Sequence, residues 1–319
     1  MLQPSPPRKR RGRLLRIGAA FVVLLAVAGY LVVQYITGGT GAPGCKVVSD
    51  DDDGATYEFT PEQAVNAATI TAVGTGRNLP ERAVTIALAT ALQESALRNI
   101  DHGDRDSLGL FQQRPSQGWG TPKEIMDPAY AAGKFYDHLV EVPGYTRLPL
   151  TVAAQRVQRS GFPQAYAKHE PDATLLAAAL TGRSAATLTC AGRPGASRAE
   201  GPDAVRDALV RDFGRDVLQP VGVQAGGSSA PSPSGGSDGR TVTLPTGTGS
   251  DAEPDPERRG WQLAHWAVAN ASALRIERVS YAGREWTAGN TDSRWHPTGT
   301  DGAPGAERAA GSVRITTAR

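Results

Sequence analysis

The sequence predicts a mainly α protein: a membrane-spanning helix near the N-terminus, a helical domain, a flexible linker and a small α+β module at the C-terminus. Three observations predict it. Residues 17–36 are uncharged and mostly apolar, long enough to cross a hydrocarbon core of roughly 30 Å. Between residues 57 and 190 apolar positions recur at helical spacing, and no strictly alternating strand pattern shows between Thr60 and Glu170. Between residues 221 and 257 Gly, Ser, Pro, Thr and Asp dominate, and such a stretch cannot bury a core.

Residues 1–16 form a basic tail. Arg8, Lys9, Arg10, Arg11, Arg13 and Arg16 precede the apolar run, and Asp50 to Asp53 lie beyond it. The positive-inside rule keeps such a tail in the cytoplasm and exports the chain beyond the span. A cleaved signal peptide would have a shorter apolar region with a small-x-small site directly after it, whereas this run ends in Gln34-Tyr-Ile-Thr37. A lipoprotein would place Leu three residues before its cysteine; before Cys45 that position is Ala42. An uncleaved single-pass anchor in the cell membrane is therefore expected. The formal net charge of +2 misleads, because the tail alone exceeds it and the remainder is mildly acidic. That offers no case for nucleic-acid binding.

Residues 37–56 read as a stalk, Gly-rich and then acidic. Cys45 and Cys190 are the only two cysteines, both in the exported part and at the edges of the stretch 57–190. In an oxidising compartment an isolated pair placed so reads as a disulfide. Thr60-Pro61-Glu62-Gln63 starts a helix, with Thr as N-cap and Gln at the capping-box position; Gly74 and Gly76 stop it near Val73. Leu79-Pro80-Glu81 opens a second, in which Val84, Ala87, Leu88, Ala91 and Ser95 keep the rhythm of a buried face. Glu94 falls on that same side, where a charge is costly unless paired or used.

Pro115, Gly118, Gly120 and Pro122 make a loop that carries Trp119. Further helices are expected at about Pro128–Leu139, Thr151–Ser160, Gln164–Glu170 and Leu175–Leu180, with Gly161-Phe-Pro163 as a break. A short helix at Asp203–Phe213 lies in an extension, 191–220, and the linker is 221–257. The module 258–319 has a helix over Trp261 to Leu274 and short strands at Ile276–Tyr281, Glu285–Thr287 and Ser312–Thr317.

The chemistry sits in Ala91 to Gln113, ALQESALRNIDHGDRDSLGLFQQ. A carboxyl group on the buried side of a helix has its pKa raised by desolvation and can hold a proton near neutral pH. Breaking a β-1,4 glycosidic bond needs such a donor, and stabilisation of an oxocarbenium-like sugar. Glu94-Ser95, the irregular acidic loop (Asp101, Asp104, Asp106) and the turn Gly109-Leu-Phe-Gln112 resemble the catalytic signature of the soluble lytic transglycosylases and goose-type lysozymes. Those enzymes cleave peptidoglycan glycan strands. The resemblance covers about residues 60–170 and implies a lysozyme-like helical domain at 57–190. It makes Glu94 general acid and then base, Ser95 an orienting residue, and Ser107, Gly109, Phe111 and Gln112 the lining of a sugar groove. Gly103-Asp104-Arg105 is similar to the G-D-R of goose-type lysozymes, so Asp104 is the candidate second carboxylate. Lytic transglycosylases need none: one Glu serves both steps, and the substrate's N-acetyl and C6 hydroxyl groups complete a 1,6-anhydro product.

The chain departs from the family at its third motif, A-x-Y-N-x-G followed by a Tyr. Val152-Ala-Ala-Gln155-Arg-Val-Gln158-Arg-Ser160-Gly stands there, with Gln155 and Gln158 offering amides and Tyr166 matching the distal tyrosine that touches the acid. The C-terminal module looks like the small modules attached to actinobacterial wall hydrolases. Its His265 and Trp295-His296 suggest zinc, but the H-x-H strand signature is missing and two separated histidines make a poor site. No metal or cofactor is expected. Trp261, Trp266, Trp286 and Trp295 fit core packing better than sugar stacking. Two functions are implied. One is a membrane-tethered enzyme cleaving peptidoglycan glycan strands. The other is a lysozyme-fold protein, chemically impaired, that binds those strands or positions a wall-assembly partner. A secreted metallopeptidase would require zinc.

Overall fold

Thr60 caps the first helix as its local sequence dictates. In α1 (Pro61–Gly76) the Thr60 hydroxyl accepts from the Gln63 N–H at 3.3 Å while the Gln63 side chain accepts from the Thr60 N–H at 2.7 Å, satisfying two of the helix's orphan donors at once. α2 (Glu81–Ser95) begins after Pro80, and every residue from Ala83 to Leu92 is buried. Its many alanines let neighbours approach on several sides. α3 (Pro122–Ile125) is one turn; α4 (Pro128–Val140), α5 (Leu150–Gln158) and α6 (Glu170–Leu180) surround α2, with α6 making the largest contact. The short helix expected at Gln164–Glu170 is a turn and a 3-10 segment, Ala167–His169, leading into α6.

The computed structural model describes residues 44–51, 54–160, 164–192, 201–218, 239–247, 255–289, 294–298 and 311–318, all in one unit. The expected basic tail 1–16 and membrane span 17–36 lie outside them. Among the described residues no helix is long and apolar enough to cross a membrane.

The expected class, mainly α behind a membrane helix, is corrected: the fold is mixed α and β, with two sheets. In the first, β1 (Cys45–Val48) lies between β2 (Thr56–Phe59) and β3 (Leu188–Cys190), antiparallel to both. The register sets Cys45 opposite Cys190, and a disulfide joins them across a sequence separation of 145. α7 (Gly201–Phe213) comes next, in the extension. The second sheet is built from β4 (Thr241–Pro245), β5 (Ile276–Tyr281), β6 (Arg284–Thr287), β7 (His296–Pro297) and β8 (Ser312–Thr317), in the order β4-β8-β5-β6-β7. Strands of two to six residues give alternation little room to show. β4 also sits inside 221–257, where composition reads as linker.

α8 (Pro256–Ala269) is buried from Gly260 to Ala269 and packs on α1, α6, β3 and β5; the one-turn α9 (Ala271–Leu274) continues it. The module's tryptophans are core residues. Trp266 Nε1 donates to the buried Asp212 carboxylate at 2.8 Å, Trp286 Nε1 to the Cys190 carbonyl at 3.0 Å, and Trp295 Nε1 to the Leu188 carbonyl at 2.9 Å. His265 is fully buried with Nδ1 2.7 Å from the Ala179 carbonyl oxygen, and burial pulls its pKa down to about 4. His296 lies on the exposed β7.

Candidate active site

Glu94 stands on the last turn of α2, half-buried. The helix ends directly after it in a Schellman-type closure: the Leu97 N–H donates to the Ala91 carbonyl at 3.1 Å and the Ala96 N–H to the Leu92 carbonyl at 3.0 Å. This closure needs left-handed backbone, and Ala96 (φ 52°) and Leu97 (φ 58°) adopt it without being glycine. Such a conformation costs an L-residue about 1–2 kcal/mol. Two α1 amides hold it in place, Gln63 Nε2 donating to the Ala96 carbonyl and Asn66 Nδ2 to the Leu97 carbonyl, both at 2.8 Å.

Burial raises the Glu94 pKa above the ordinary glutamate value, and hydrogen bonds from Tyr166 and Gln158 oppose the rise without cancelling it. Tyr166 Oη donates to Glu94 Oε1 at 2.7 Å. Burial, the nearby Glu94 charge and that hydrogen bond push the phenol's own pKa up, so it stays a donor. Gln158, the last residue of α5, also donates Nε2 to the Phe111 carbonyl at 2.7 Å, and Ser95 Oγ donates to the Leu110 carbonyl at 2.8 Å. The segment 108–113 is thus tied at two successive carbonyls to residues that adjoin or touch the acid. Leu108 and Gln113 close its base with reciprocal backbone bonds of 2.9 Å. Gly109, at φ +74°, is needed there: a Cβ would come within 2.7 Å of the Ile125 carbonyl oxygen. Phe111 is fully buried and stacks on Phe135 of α4, ring centroids 4.7 Å apart.

The other expected residues sit elsewhere. Gln112 turns its Nε2 back onto its own loop, 3.3 Å from both the His102 and Gly109 carbonyl oxygens. Ser107 is buried. Gln155 donates Nε2 to the Ser160 carbonyl at 2.7 Å, and a Ser160 hydrogen bond reaches Tyr166, so Gln155 touches the acid's partner only at second hand. The Asp104 side chain is 93% exposed and lies 3.9 Å from Arg105 Nε. Asp106 is a brace: it accepts from the Ser116 N–H at 2.8 Å and from Arg114 Nε at 2.7 Å, and hydrogen bonds from Ser116 and Arg114 hold its carboxyl well below the usual range.

The residues that sequence reasoning missed lie next door. A groove of about 470 Å³ opens beside Gln112 and Gln158, with Trp119, His138, Arg156 and Arg159 in its wall. The signal was present in Gln155-Arg-Val-Gln158-Arg, which sets two arginines three apart in sequence, one in the last turn of α5 and one at its C-cap. Among the described residues no cluster of His, Cys, Asp and Glu is placed to hold a metal ion.

What the geometry defines is a half-buried carboxyl at a strained helix end, bonded to a phenol and to Gln158, whose side chain also belongs to the lining of an open groove. Comparison with known families bears on a different part of the chain: residues 200–308 match the family model described as VldE, C-terminal domain. That stretch runs from α7 past β7 and contains none of the residues around Glu94. No curated protein matches the chain.

Proposed function

We propose that the protein is an extracytoplasmic enzyme that cleaves the β-1,4 bonds of peptidoglycan glycan strands, with Glu94 as its proton carrier. One observation carries this: a carboxyl whose pKa is raised by burial, bonded to Tyr166, in a sequence that resembles the lytic transglycosylases and goose-type lysozymes. Protonated Glu94 gives its proton to the glycosidic oxygen as the C1–O bond breaks. The resulting carboxylate, steadied by the Tyr166 hydroxyl, then takes the proton of the attacking oxygen. With Asp104 turned to solvent, the route needing no second carboxylate is the better fit. The attacker is then the substrate's own C6 hydroxyl, and the product a 1,6-anhydro sugar. The disulfide supports an oxidising compartment, and the apolar run 17–36 behind a basic tail supports tethering at the membrane.

The test is mass spectrometry of the material released from purified sacculi. Wild type should release anhydro-muropeptides, and Glu94→Gln should lower the rate at least about a hundredfold. The rival, strand binding without chemistry, has the missing Tyr-Asn pair in its favour; sacculi bound by wild type with nothing released would establish it.

A further inference from the structure

The groove lined by Gln158 carries a charge that the cleavage chemistry does not use. Of its cations, Arg114 is already paired with Asp106 at 2.7 Å, and its acid Glu141 lies 3.8 Å from His138 Nδ1. Arg156 and Arg159 are exposed, and neither forms an ion pair among the described residues. Arg156 lies in the last turn of α5, and Arg159 is the C-cap that follows it in left-handed backbone, φ 52°. They bracket Gln158, the residue whose amide reaches both the Phe111 carbonyl and Glu94. The same groove is lined by Trp119, half-buried and propped edge-on against His138 with ring centroids 4.4 Å apart. An aromatic ring sharing a groove with two guanidinium groups that form no ion pair among the described residues suits a sugar that carries an anion.

We propose that this groove binds the carboxylates borne on the muramyl side chains of the glycan strand, paired with Arg156 and Arg159, while the sugars lie along Trp119. The inference rests on the glycan-cleavage reading and adds to it a preference: strands with free carboxylates are selected over neutral ones. A muramyl unit offers that chemistry in two forms: the carboxylates of an attached stem peptide, or, once the peptide is removed, the lactyl carboxylate that the amide bond had consumed. Planar guanidinium groups match either carboxylate, and in an open groove the gain is modest and falls with salt.

The experiment uses the full chain and three preparations of soluble strand. One keeps its stem peptides, one has its carboxyls converted to neutral methylamides, and one is stripped by an amidase that leaves the lactyl carboxylate. Binding by isothermal titration calorimetry and kcat/KM for cleavage are read on each. Wild type should favour carboxylate-bearing over neutral strands by about three- to tenfold, a ratio that shrinks between roughly 0.05 and 0.5 M salt. The double variant R156Q/R159Q should bring the ratio to about one, while R156K/R159K keeps it well above. Preference for the peptide-bearing strand over the neutral one assigns the stem-peptide carboxylates, and preference for the stripped strand alone assigns the lactyl carboxylate; either supports the site. Equal treatment of peptide-bearing, stripped and neutral strands by wild type, or a ratio that survives R156Q/R159Q, overturns it. If binding follows the expected pattern and no strand is cleaved, the groove stands and the enzymatic reading alone has failed.

Discussion

Glu94 answers to two opposing demands. Burial raises its folded pKa above the unfolded value. Its contribution to stability is therefore complete below the unfolded value and is lost as pH rises through the folded one. The same shift keeps it a competent acid up to the raised value. Tyr166 moderates the shift, because its O–H stabilises the carboxylate. Tyr166→Phe keeps the ring and deletes that bond, so the Glu94 pKa should climb further and the alkaline limb of kcat/KM for glycan cleavage should move to higher pH. A limb that stays put or moves to lower pH would show that the phenol does not control the acid. Glu94 was legible in the sequence because helical register places it on the apolar side, and Tyr166 because a motif carries it. The direction of Gln112 was not: where an amide turns depends on which loop carbonyls are left to accept, and only the folded loop decides that.

At the scale of the element, the end of α2 matters most. Ala96 and Leu97 hold left-handed backbone, pinned by Gln63 and Asn66 of α1. Glycine at the first of these relieves the Cβ clash, so Ala96→Gly should stabilise the fold by about 1 kcal/mol, seen as a melting temperature higher by about 2–4 °C. An unchanged or lower melting temperature would mean that the backbone there is not under the strain its φ implies. Helix starts such as Thr60 with Gln63 are readable because capping is local, settled by residues three apart. Strands β1 and β3 are not, since four residues and three residues pair across a sequence separation of 145, beyond the reach of any local pattern. That nonlocal pairing is what turned a mainly α expectation into a mixed fold.

Across the whole molecule, the bond between Cys45 and Cys190 closes a loop around every helix that positions the acid. Closing a loop of this length removes about 4–5 kcal/mol of denatured-state entropy in the chain-entropy picture. Replacing both cysteines by serine should thus lower the urea midpoint of unfolding, with any change in slope reporting on the denatured state. A midpoint that does not move would assign the disulfide no part in stability. The same scale holds the C-terminal segment. Arg258 of α8 lies 2.9 Å from Glu81 at the start of α2, which also takes Arg183 at 2.9 Å, and Gln262 donates Nε2 to Thr75 Oγ1 of α1 at 2.7 Å. A Trp-rich amphipathic helix announces that it needs a partner surface; it does not say that the surface is the back of α1 and α6.

The central claim is that Glu94 keeps its proton because the fold buries it. The direct measurement is a 13C NMR titration of its side-chain carboxyl, assigned by the signal that disappears in Glu94→Gln. The expected midpoint lies above the ordinary glutamate value of 4.5, and a midpoint at or below 4.5 would contradict it.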